Sequence, residues 1–325
     1  YDKALAAVDR LETKQPGSAI AANLRGTVFA AKGDAARARA AFAQALERDP
    51  KFVAAVTNLA ALELRADKPD DAKKHLLAFL EREPKNVQAI ITLARVVAQT
   101  EGKEGEAKAF DLLKKARQAD PTSLAATLAL NSQYARMGQH KDAIPMLQEA
   151  VTGNPTSLEL LDALGTAYLR SDQESQAMEA FEKILKLKPD NATLHYQLGQ
   201  LKLRLKDNAG ALANLRKAAE LDPKSSVARI GVATALLQDG KLAEARVIAT
   251  QLQKDLPKST AGLVLEGDIF AVDGKWSDAA ASYRKAMAQD RQGPIVAKLH
   301  NALVRSGKDA EAQSVAADWL RPHRR

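Results

Sequence analysis

Cysteine is missing from this 325-residue chain, which excludes disulfides, thiolate metal sites and cysteine nucleophiles within it. Aromatic residues make up only 4%. The apolar share is carried by Ala and Leu instead, which suits closely packed helices better than sheets. Apolar runs stop after a few residues, too short for a membrane-spanning helix. No segment has the basic, apolar, small order of a secretion signal. Charge of one sign is not concentrated either. The net +8 comes from 48 basic and 40 acidic residues spread along the chain, without the clustering of a nucleic-acid binder. The one compact basic run, Arg321-Pro322-His323-Arg324-Arg325, is explained as well by a frayed tail as by a phosphate contact.

Chemistry has little foothold. His75, His140, His195, His300 and His323 are scattered and share no helical face. His195 falls in a packing slot, where a core role is expected. No His-Glu-x-x-His, Gly-x-Gly-x-x-Gly or Gly-x-x-x-x-Gly-Lys motif occurs, so neither a metal site nor a cofactor is indicated. Acidic residues read as spread along solvated helix faces beside Lys or Arg. An enzyme is not expected.

What the chain does have is a ruler. Pro16, Pro50, Pro84, Pro121, Pro155, Pro189, Pro223 and Pro257 are spaced by 34 residues, with one interval of 37, and Pro294 follows another 37 on. A fixed period in this range marks a solenoid, built by stacking one supersecondary motif. Within one period, apolar residues recur at helical spacing through Asn23–Phe29, Gly33-Asp34 breaks the run, and Ala38, Phe42 and Ala45 resume it before Asp49-Pro50. That pattern predicts two amphipathic helices, a positive-φ turn at Gly33, and a stop before Pro50. Small residues recur in the first helix at Gly26, Ala60, Ala94, Gly165, Gly199, Ala233 and Gly267. Alanine recurs in the second at Ala38, Ala72, Ala109, Ala143, Ala177, Ala211, Ala245 and Ala279. A large residue, such as Phe42, Leu76, Phe181 or Tyr283, usually follows four positions later. The first 37-residue interval is assigned to an enlarged turn over Thr100–Glu106, the second to a proline displaced into the start of the last repeat. Asp67-Lys68-Pro69-Asp70 reads as a proline turn in place of glycine, and Pro145 as a small kink at most.

These slots resemble the tetratricopeptide repeat (TPR) family over essentially the whole chain. The resemblance implies an all-α superhelix, a solenoid of stacked antiparallel helix pairs. It divides into eight repeats over 19–50, 53–84, 87–121, 124–155, 158–189, 192–223, 226–257 and 260–291. Residues 1–16 match the second helix of a truncated repeat, and 294–325 a shortened ninth that caps the stack with Trp319. The start at Tyr1 suggests a piece of a longer protein.

In this family the first helix of each repeat lines a concave groove. The resemblance therefore makes Asn23, Asn58, Arg65, Ile91, Arg95, Leu128, Arg136, Arg170, Tyr196, Gln200 and Arg204 candidate ligand-binding residues, and puts Ile230, Thr234, Val264 and Asp268 on the same face. Arg65, Arg136, Arg170 and Arg204 share one slot. They read either as a ladder of forks for carboxylates, phosphates or acidic sugars or as structural partners of neighbours such as Asp172 and Asp207. Family members that grip chaperone C-termini carry a Lys, Asn and Arg clamp. Here Asn58 fits one of its slots, but Asn23, Thr27 and Gln88 replace others, so that clamp is incomplete.

The resemblance thus implies a non-catalytic scaffold holding a protein or peptide segment in its groove, with no nucleic acid and no membrane insertion of this chain. The alternative is a module guiding an acidic polysaccharide toward an export channel. Leu24-Arg25-Gly26, Ala31-Lys32-Gly33-Asp34 and Phe42-Ala43-Gln44-Ala45-Leu46 also resemble bacterial TPR lipoproteins of PEP-CTERM/exosortase and exopolysaccharide systems. That likeness implies an exported, lipid-anchored parent in the cell envelope or periplasm, with the cytoplasm as the alternative.

Overall fold

Small residues at helical spacing should bring helices close together, and they do. The computed structural model describes residues 1–320, so the basic run 321–325 lies outside the described residues. Nineteen α-helices account for the described chain, joined by short turns. They fall into two compact units, Tyr1–Ala180 and Phe181–Arg325.

The N-terminal unit holds α1 (Asp2–Lys14), α2 (Ala19–Ala31), α3 (Ala35–Arg48), α4 (Val53–Arg65), α5 (Pro69–Arg82), α6 (Val87–Thr100), α7 (Gly102–Ala119), α8 (Leu124–Arg136), α9 (His140–Gly153) and α10 (Leu158–Arg170). The division falls inside α11 (Glu174–Leu187). The C-terminal unit continues with α12 (Ala192–Arg204), α13 (Asn208–Leu221), α14 (Ser226–Gln238), α15 (Leu242–Asp255), α16 (Ala261–Val272), α17 (Trp276–Gln289), α18 (Gly293–Arg305) and α19 (Asp309–Leu320). In both units antiparallel helix pairs stack, from α1 to α10 and from α12 to α19 each helix packing on its neighbours in sequence.

Capping fixes where these helices begin. Ser18, Asn86, Ser123, Ser157, Asn191 and Ser225 precede first helices, and each side chain accepts a hydrogen bond from the backbone N–H three residues on. Such a cap satisfies a donor the helix cannot, and is worth about 1 kcal/mol. The crossing within each pair is tight, because the second-helix alanines Ala38, Ala72, Ala109, Ala143, Ala211, Ala245 and Ala279 are fully buried. A Cβ on Gly26 would stand 2.6 Å from the Phe42 ring, and one on Gly199 2.5 Å from Leu215. The large second-helix residue therefore occupies the space the first-helix glycine leaves.

Three details differ from the sequence reading. The 37-residue interval is not an enlarged turn. Only Glu101 separates α6 from α7, and the extra residues lengthen α7 to 18. Gly105 makes this possible, since any Cβ there would collide with the Val97 carbonyl oxygen. Second, proline does not make the turn after α4. Asp67 takes the left-handed conformation (φ +56°) that Gly33 takes after α2, and Pro69 is the first residue of α5, where no N–H is needed. Third, acidic residues do not all lie on solvated faces, because Glu63 of α4 is only 1% exposed. Arg39 of α3 offsets its burial with paired hydrogen bonds of 2.6 and 2.9 Å. By contrast, Pro294 does sit in the first turn of α18, as its displacement from the ruler suggested. Pro145 lies inside α9, which runs on to Gly153.

Candidate functional site

The two layers of helices are not equivalent. In the N-terminal unit the first helices α2, α4, α6, α8 and α10 touch one another in series, and in the C-terminal unit α12, α14 and α16 do the same. Among the described residues, α3, α5, α7 and α9 make no comparable contact with one another, nor do α13, α15 and α17. Each unit therefore bends toward its first helices, and their free faces line the inside of the bend.

On this face of the N-terminal unit, the amide of Asn58 donates to Asn23 Oδ1 at 3.0 Å, tying α4 to α2. Asn23 is buried, so its carboxamide serves helix packing as much as any ligand. Ile91 is half-buried against the core around Ala94, Leu113 and Leu130, and Leu128 is half-buried on α8. Arg65, Arg95, Arg136 and Arg170 are exposed. Three of them are the last residues of α4, α8 and α10, where a cation complements the negative end of the helix dipole.

Among the described residues, none of these four arginines of the N-terminal unit forms an ion pair. Arg136 donates to the Gln133 side-chain oxygen, and the buried Gln133 in turn donates to the Glu106 carbonyl at 3.1 Å. Among the described residues Asp162 of α10 has no hydrogen-bond partner, and desolvation raises its pKa above the ordinary aspartate value.

In the C-terminal unit, Tyr196 and Gln200 lie on α12 against the backbone of Gly231 in α14. A Cβ on Gly231 would stand 3.3 Å from both side chains, so a glycine there lets α12 and α14 approach. Arg204 is exposed at the end of α12. His195 packs as a strut. Its ring nitrogens lie 3.0 Å from Asn214 Oδ1 and 2.9 Å from the Pro189 carbonyl oxygen.

Further along this face, Ile230 and Thr234 of α14, Val264 and Asp268 of α16, and Ile295 and Lys298 of α18 enclose a cavity of about 240 Å³. The sequence reading placed Ile230, Thr234, Val264 and Asp268 on the groove but missed Lys298. The displaced proline at the start of α18 breaks the register by which a partner on that helix is found. Among the described residues no group of His, Asp and Glu side chains is arranged to hold a metal ion, and no helix is long and apolar enough to cross a membrane.

Comparison with known families agrees with this geometry. One model of the tetratricopeptide repeat matches residues 29–95, 134–201 and 202–263, and a second matches 1–51 and 233–294. The chain belongs to the tetratricopeptide repeat family. No curated protein matches it. Among solved structures it is similar to MamA 41-end from Desulfovibrio magneticus RS-1, at 22% identity over 53% of this chain and 96% of that one, with a TM-score of 0.44. It is also similar to YrrB, described as a TPR protein with an unusual peptide-binding site, at 23% identity over 57% of this chain and 95% of that one, with a TM-score of 0.46. A thermophilic TPR protein of Thermus thermophilus is 22% identical over 57% of this chain and all of its own, with a TM-score of 0.41.

Proposed function

We propose that this protein is a non-catalytic scaffold in which the first-helix face of each unit holds an extended segment of another protein. The observation that carries this reading is the composition of that face. Half-buried Ile91, Leu128, Tyr196, Ile230 and Val264 alternate with amide and hydroxyl groups. A repeated face of this kind offers one contact set per repeat, which suits an extended chain. The proposed setting is bacterial envelope protein sorting or exopolysaccharide assembly, supported by the short phrases shared with PEP-CTERM-associated TPR lipoproteins. In that setting the parent protein is exported to the periplasm and lipid-anchored.

The test is capture from a bacterial envelope extract with three forms of the whole chain. A protein partner retained by the wild type should be lost by an Ile91→Asp, Leu128→Asp variant and kept by an Arg136→Ala, Arg170→Ala, Arg204→Ala variant. Loss in the arginine variant alone would reverse the reading.

One observation favours a second reading, in which the groove guides an acidic polysaccharide. Arg65, Arg95 and Arg170 are exposed without ion pairs among the described residues, and free guanidinium forks suit carboxylates. Binding of an acidic oligosaccharide would then fall steeply with salt and vanish in an Arg65→Ala, Arg95→Ala, Arg170→Ala variant.

A further inference from the structure

The cavity between α14, α16 and α18 combines two features. Its lining carries the aliphatic side chains of Ile230, Val264, Leu265 and Ile295, with Thr234, Thr260 and Gln292 beside them. Its wall carries a carboxylate and an ammonium side by side, because Lys298 Nζ stands 2.5 Å from Asp268 Oδ1. The same oxygen accepts the Tyr283 hydroxyl at 2.6 Å. Tyr283 is buried, and this burial, with Asp268 beside it, pushes its phenol well above the ordinary value. The hydroxyl therefore stays protonated and goes on donating to Oδ1.

This arrangement uses one oxygen of Asp268 twice and leaves the other open. Among the described residues Oδ2 has no hydrogen-bond partner. An ammonium has three donors, and only one of Lys298's is spent on Asp268. The wall thus offers an open acceptor next to open donors, at the edge of an apolar hollow.

A peptide is the complement of that surface. Its N–H can donate to Asp268 Oδ2, its carbonyl can accept from Lys298, and an adjacent branched side chain can enter the hollow. A uronate or phosphate would bring its own negative charge against Asp268. A neutral sugar could reach Thr260 or Gln292 at the rim, but its remaining hydroxyls would lie against Ile230, Val264 and Ile295, where they lose water without gaining partners.

We propose that this hollow is the anchoring subsite of the groove, taking one Leu, Ile or Val side chain of an extended peptide. Asp268 and Lys298 hold the main-chain amide beside it. The assignment rests on the groove being a peptide-binding surface.

The probe is an array of capped nonapeptides in an Ala/Ser background, each with one varied central residue, incubated with the whole chain. Leu, Ile and Val should be enriched about tenfold or more over Gly, Asp and Lys, the effect expected from burying one such side chain. Ile230→Ala enlarges the hollow and should move the preference to Phe and Met. Lys298→Met should weaken every peptide about three- to tenfold without reordering them, the loss of one charge-assisted hydrogen bond. Thermal unfolding followed by circular dichroism shows that each variant is folded. Peptide binding without an aliphatic preference, or a preference unmoved by Ile230→Ala, overturns the subsite and leaves the groove reading standing. An array on which no peptide is retained overturns both.

Discussion

The eleventh residue of the first helix is a packing position in both units, and it is apolar or aromatic in most repeats: Phe29, Val97, Tyr134, Tyr168 and Leu236. In α4 it is Glu63, and in α12 it is Lys202. Opposite charges have been placed in one slot, and each reaches back to the preceding second helix. Arg39 of α3 meets Glu63, and Glu182 of α11 meets Lys202 at 3.0 Å. The environments differ. The Glu63 side chain is 1% exposed, whereas in the other pair Lys202 is 15% and Glu182 42% exposed. One carboxylate is thus committed to its partner, while the other pair keeps access to water. Tyr168 shows a neutral solution to the same slot, its hydroxyl accepting from Gln148 of α9 at 2.7 Å.

That contrast sets the order of expected effects. Arg39→Ala leaves the Glu63 carboxylate without its partner and should cost about 2–3 kcal/mol. That falls short of the penalty for halving a fully buried pair, because Arg39 is itself 39% exposed and its loss admits water. Stability in a stacked array is a sum of local terms, so hydrogen exchange should report the loss around α3 and α4 first. Replacing both partners, Arg39→Met with Glu63→Leu, should restore most of it. A double variant as unstable as the single one would mean the pair does more than satisfy itself.

The same pair predicts a pH dependence. Hydrogen bonds from Arg39 hold the Glu63 carboxyl below its ordinary range, against the opposing pull of burial. A depressed folded value means the contribution is complete above the unfolded carboxyl value, about 4.3, and is lost as pH falls through the folded value. Urea midpoints at pH 7 and pH 3 should therefore separate more for the wild type than for the double variant. Equal separations would place the acid sensitivity elsewhere.

In the C-terminal unit, Lys202→Ala should cost only about 0.5–1 kcal/mol, because the half-exposed Glu182 left behind can be hydrated. A loss as large as that of Arg39→Ala would erase the distinction drawn from exposure. Chemical denaturation of both variants under one set of conditions checks this directly.

Much of this was legible in the sequence because a repeat shows its own exceptions. The 34-residue period located the helix pairs, and the buried alanines lie where the pattern required small residues. Gly26 against Phe42 is the same inference made visible. What stayed hidden was where residues break the repeat's grammar. Glu63 and Lys202 look like surface charges until their partners are placed, and those partners lie on a neighbouring repeat 24 and 20 residues away. Gly105 reads as part of a loop because glycines mark turns, yet here it permits a close helix approach. The Asp268–Lys298 wall was half legible, since Asp268 sits in a groove slot but Lys298 follows the displaced Pro294.

The smallest effect concerns the turns between paired helices, where the units again differ in how one constraint is met. Each such turn needs a residue at positive φ. Gly33, Gly138, Gly240, Gly274 and Gly307 supply it, while Asp67 and Asp172 in the N-terminal unit and Lys206 in the C-terminal unit adopt φ values of +56°, +56° and +62°. Aspartate visits this region more readily than most side chains because its short polar group can bond locally. Lysine has no such compensation. Lys206→Gly should therefore stabilise the C-terminal unit by roughly 0.5–1 kcal/mol, the relief of left-handed strain less the entropy glycine adds to the unfolded chain. Asp67→Gly should gain less. If thermal unfolding shows the aspartate site gaining as much, the strain lies in the backbone of the turn and not in the side chain that occupies it.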